Sequence, residues 1–265
     1  MKQNKYFNPG RFYRLFENDL LIHKKTYLSI LIGLLIGVYG ITLSGMWNRY
    51  NPIIIENFYI PNFMFLMLGI LIFISSSFPD MKNRVTINSY LLLPASTLEK
   101  FLVQFVTRII LLIPIAMILF WVAIYLAKAS LIPDPSINFD PSKIQDFNFR
   151  DLFKYVPKFR DKVFIVSGIF SVACALFAGA THFNRFALVK TVIVSAILGF
   201  AVYFLLVVFS HIFYPIETHG FEVHLDVYKI SGDITNINLC LYLVSSISWL
   251  FFLPLAYFKL KEKEV

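Results

Sequence analysis

Apolar residues gather into six long runs, at 27–46, 60–78, 101–127, 163–180, 191–213 and 237–258, with the polar residues between them. A helix needs about 20 apolar residues to cross the ~30 Å hydrocarbon layer of a bilayer, so each run predicts a transmembrane helix. The reading is an all-α integral membrane protein, a single transmembrane domain over 1–265 with six crossings. The third run exceeds the layer at about 1.5 Å per residue, so it must tilt, project or bend, and Pro114 offers a bend.

The polar segments have patterns of their own. In 11–24, Phe12, Leu15, Phe16 and Leu20 recur at helical spacing while Arg11, Arg14 and Asn18 fall opposite, which describes an amphipathic helix lying in the membrane interface. The loop 79–100 contains Pro94, which cannot donate a backbone hydrogen bond and disfavours helix at Leu93. Ser96 followed by Glu99 is a capping box that opens the third span. Before Pro94, polar Thr86, Asn88 and Ser89 mix with apolar Val85, Ile87, Leu91 and Leu92, giving a short amphipathic segment at the membrane surface. Small residues mark two helix-packing faces, Gly33 with Gly37 in the first span and Ser167, Ser171, Ala175 and Gly179 in the fourth. Between the spans lie outer loops at 128–162, where 151–156 has the makings of a short amphipathic helix, and at 214–236. In the latter, Phe221, Val223 and Leu225 alternate with Glu222, His224 and Asp226 at the period of a half-buried strand.

The run Ser89-Tyr-Leu-Leu-Leu-Pro-Ala-Ser-Thr-Leu-Glu-Lys100 resembles the loop after the second membrane helix in permeases of the ABC-2 exporter family, which also have an interfacial helix before the first span. The resemblance covers this run and the overall helix layout. It implies a permease subunit that forms half of a translocation pathway, and a short cytoplasmic coupling helix that docks on a separate ABC ATPase. The docking residues it implies are Thr86, Asn88, Ser89, Tyr90, Leu91, Leu93 and Pro94. A second permease copy or a similar chain would supply the other half.

Composition agrees with a membrane location. The 265 residues are 58% hydrophobic and 15% charged, with a mean hydropathy of +0.69, whereas an average soluble domain is about a quarter charged. The net charge of +8 sits near the ends of the spans, which suits anionic lipid headgroups, and no basic, aromatic-interleaved groove for nucleic acid is visible. With both termini in the cytoplasm, 14 Lys and Arg fall in inner segments and 9 in outer loops, leaving Arg108 inside the third span. That asymmetry favours a multi-pass protein of the cell (inner) membrane with cytoplasmic termini. Arg108 is close enough to the inner end to snorkel to headgroups.

Several functions lack their residues. The sequence has no Gly-x-x-x-x-Gly-Lys-Ser/Thr loop, His-Glu-x-x-His pair or Gly-x-Ser-x-Gly elbow, so ATP hydrolysis is expected in another subunit, no enzyme activity is expected here, and no cofactor is expected in this chain. His219, Glu222, His224 and Asp226 match no metal-site spacing. The shortage of charge inside the spans points to a lipidic, peptide-like or amphipathic cargo. A different class also fits: a non-transporting scaffold or assembly component of a larger envelope complex, holding partners through its outer loops.

Overall fold

The structure is a computed structural model, and it describes residues 7–47, 59–81, 87, 90, 92–131, 146–154, 156, 158–183, 186–213, 229–231 and 234–263. Six apolar helices make up most of it. They are α1 (Pro9–Trp47), α2 (Tyr59–Ile74), α3 (Thr97–Ala129), α4 (Phe159–His182), α5 (Ala187–Phe213) and α6 (Asn236–Glu262). Two short strands, β1 (Lys229–Ser231) and β2 (Ile234–Thr235), pair antiparallel just before α6. The expected strand at 221–226 lies outside the described residues.

The interfacial helix and the first span form one element. No proline stands between Gly10 and Trp47, and Lys24-Lys25-Thr26 offers no competing turn, so α1 runs unbroken for 39 residues. At 1.5 Å per residue that is about 58 Å, nearly twice the hydrocarbon layer. By contrast α2 stops early. Ser75, Ser76 and Ser77 each turn the hydroxyl back to the carbonyl three residues before, at 2.6, 2.7 and 2.6 Å. These bonds compete with the helical ladder. Phe78 then takes a left-handed backbone with φ of 57° ahead of Pro79. The result is a helix of 16 residues where the hydropathy pattern extends to Phe78.

Ser96 caps α3 as expected, accepting from the Glu99 N–H at 3.2 Å while the Glu99 carboxylate accepts from the Ser96 N–H at 2.8 Å. The helix therefore begins at Thr97. Its irregularity comes before Pro114, as a five-residue π turn at Val106–Ile110. Between α3 and α4, the turn Phe149–Phe153 is a 3₁₀ segment, placed slightly before the short helix expected at 151–156.

The helices pack as two groups of three. Buried Ala116, Ala123 and Ala127 let α3 lie close against α1, and α2 packs on both and also on α4 of the second group. In the second group α4 packs along most of α6, while α5 rests chiefly on α4. An aromatic cluster joins the groups: Phe177 of α4 lies 5.2 Å from Phe78, 5.7 Å from Phe101 and 6.1 Å from Phe105 by ring centroids. Tyr257 of α6 meets Phe101 at 5.9 Å. Edge-to-face contacts of this kind add to the area that aromatics bury.

Candidate functional site at the loop end of the bundle

The notable feature of the fold is a chain of buried polar side chains running from the loop before α3 into the bundle. It begins at Glu99, which is fully buried. Besides closing the capping box, its Oε1 accepts from the Asn8 N–H at 2.7 Å and from Arg11 Nη2 at 3.1 Å. One carboxylate thus fastens the start of α1 to the start of α3. Charge-assisted bonds are the strong class of hydrogen bond, which makes this a firm junction.

The next link lies deeper on both helices, eight residues past Arg11 on α1 and five past Glu99 on α3. Asp19 of α1 accepts from Gln104 of α3 at 2.8 Å and from the Tyr27 hydroxyl at 2.9 Å. His23 stands between two carboxylates, with Nδ1 3.4 Å from Asp19 and Nε2 3.7 Å from Asp80 in the 3₁₀ turn Pro79–Met81. Gln104 also takes the Phe78 N–H at 3.4 Å. Through these bonds α1, α3 and the beginning of the loop share one polar joint. A cleft of about 40 Å³ opens beside it, lined by Asn18, Asp19, His23, Asp80, Tyr90 and Gln104 among others. That volume holds a few waters.

The chain ends at Arg108. It does not snorkel, because it is 2% exposed and sits with its guanidinium carbon 4.3 Å from the Phe73 ring centroid and 4.8 Å from that of Tyr27. The two rings hold the cation by their electron-rich faces, inside the bundle.

Of the docking residues implied by the resemblance, Thr86, Asn88, Ser89 and Leu91 lie outside the described residues. Tyr90 is turned inward, 8% exposed, with Lys100 Nζ 5.7 Å from its ring centroid. Leu93 is half-buried at the cleft and Pro94 is exposed. The residue that stands out is Leu92, 83% exposed, an apolar member of the amphipathic segment that the implied docking set omits.

The small-residue faces divide. A Cβ on Gly33 would meet nothing within 4 Å among the described residues, so this position makes no close helix contact there. Gly37 lies against Phe65 of α2. Ser167 and Ser171 reach α6, meeting the Ser245 hydroxyl at 3.3 Å and the Ser245 carbonyl at 2.6 Å. Ala175 is half-buried, and Gly179 faces Thr191 of α5 so closely that any Cβ would overlap it. The stripe on α4 therefore serves two neighbours.

Asp19, Tyr27, Asp80 and Gln104 are not marked out by sequence reasoning. The one available signal was Asp19, an acid among the basic residues of 1–25. Among the described residues, no three His, Cys, Asp or Glu side chains gather in a way that could hold a metal. Compared with protein-family models, with curated proteins and with solved structures, the chain matches none. The fold defines a class: five helices are long and apolar enough to cross a membrane, with α2 a shorter sixth, as in a multi-pass helical membrane protein.

Proposed function

We propose that the chain is the membrane-spanning subunit of an ABC-2-like exporter, with both termini in the cytoplasm and α2 completing six crossings. In this reading a cytoplasmic ATPase binds the segment before α3, and cargo passes between this chain and a second copy or a similar chain. The observation that carries it is the Glu99 junction, which bonds Asn8, Arg11 and Ser96 together at the end of the loop that bears the family-like run. A push on that loop reaches α1 and α3 at once, which is what a coupling element requires. Leu92, exposed beside inward-facing Tyr90, is the apolar anchor offered to the partner.

The scaffold reading draws on α5, whose side chains from Val192 to Phe209 are exposed on most of its circumference. Affinity purification of the full chain from its native membrane separates the two. The exporter reading expects a P-loop ATPase in stoichiometric amount, with ATP hydrolysis in the eluate. A complex without any nucleotide hydrolase would favour the scaffold.

A further inference from the structure

Arg108 lies in the π turn Val106–Ile110, where the Leu111 N–H donates to the Val106 carbonyl at 2.8 Å, five residues back. Such turns hold one residue more than the α-helical register and concentrate at functional positions. The guanidinium is buried, and its Nε and Nη1 have no hydrogen-bond partner among the described residues. Ring faces compensate a cation's charge but leave its N–H edges unsatisfied. A buried cation with open donors inside a membrane helix is costly unless a second arrangement uses them.

That second arrangement is close at hand. Gln104, four residues before Arg108 and upstream of the turn, already holds the Asp19 carboxylate at 2.8 Å. In an α-helix, residues four apart share one face. Relaxing the turn to α-helical register would set Arg108 above Gln104, on the side of α1 that carries Asp19.

We propose that the π turn is a two-position hinge. In the position seen here Arg108 rests between Tyr27 and Phe73; in the other the turn is α-helical and the guanidinium bonds to Asp19. The loop end of α3 stays fixed through Glu99, so the exchange moves the outer part, Leu112–Ala129, relative to α1. The hinge belongs to this chain alone. Under the exporter reading it is the step that carries a displacement of the loop to the outer half of α3, and its test needs no ATPase.

A static account competes with it. Pro114 cannot donate to the Ile110 carbonyl and its ring crowds that atom, so the turn would form merely to relieve the clash. Pulsed electron-spin resonance on the full chain in lipid nanodiscs distinguishes the two, with labels at exposed Ile36 of α1 and Ile118 of α3. The hinge predicts two distances. Asp19→Asn and Arg108→Gln should each deplete one of them by roughly tenfold, while Asp19→Glu and Pro114→Ala keep both. If Asp19→Asn fails to insert, Arg108→Gln and Asp19→Glu carry the comparison. A single distance common to all variants would overturn the hinge, as would two distances that merge in Pro114→Ala and persist in both charge-removing variants.

Discussion

Glu99 carries more of this structure than its place in a capping box suggests. A cap alone contributes about 1 kcal/mol, and Ser96→Ala should cost no more than that. Glu99→Gln removes the charge that holds Arg11 and weakens the bond from Asn8, leaving buried groups poorly matched, so about 1–3 kcal/mol is expected. Thermal unfolding in detergent, followed by circular dichroism, should rank the variants in that order. Equal losses would mean that the junction to α1 contributes nothing. The Ser96–Glu99 cap was legible in the sequence, because a capping box is local and its spacing is fixed. The partners Asn8 and Arg11 were not, since nothing in a single sequence brings together positions 88 to 91 residues apart. The same limit hid Asp19 and Gln104, which meet across 85 residues.

At the level of elements, hydropathy locates the helices and side-chain chemistry decides where they end. The apolar run of the second span continues to Phe78, yet three serines and a left-handed Phe78 close α2 at Ile74. The break anticipated between the interfacial helix and the first span has no residue to cause it, and α1 is continuous. Small residues likewise need a neighbour to acquire meaning: Gly179 has Thr191 and Gly33 has none among the described residues. Gly179→Ala should therefore loosen α5 from α4 at a cost of roughly 1–3 kcal/mol, the usual penalty for overpacking, while Gly33→Ala leaves stability unchanged. Adding Thr191→Gly should recover much of the loss. A double variant as unstable as Gly179→Ala alone would show that the glycine acts through its own helix and not through this contact. At the far end of the α4 and α6 pair, Lys263 donates to the Thr181 carbonyl at 2.7 Å and caps the last turn of α4. Burial and the neighbouring Lys259 lower its pKa from the ordinary lysine value.

For the whole molecule, the polar joint lies at the end of the bundle where the sequence places the cytoplasm, and the opposite end carries an aromatic cluster among the described residues. There Phe147 packs against Tyr59 and Phe120, both at 5.2 Å, beside an ion pair of Lys128 with Asp146 at 2.6 Å. This polarity between the ends motivates the proposed orientation. Cysteines placed at Lys5 and Lys263 should resist impermeant thiol reagents in intact cells, and one at Asn138 should react. Labelling of either terminus from outside would reverse the orientation and remove the loop from the reach of any cytoplasmic partner.

The central claim is that the loop before α3 engages an ATPase, and Leu92→Asp tests it most directly. The side chain is 83% exposed, so the substitution should leave the fold intact. The measurement is ATP hydrolysis by the full chain affinity-purified from its native membrane, compared between the unsubstituted protein and Leu92→Asp at equal yield and equal helical content. Loss of a buried apolar anchor costs more than about 2 kcal/mol at an interface, so recovered hydrolysis and the co-purifying P-loop subunit should fall at least about tenfold. Hydrolysis that is absent from the unsubstituted preparation, or that survives in full in Leu92→Asp, would contradict the account.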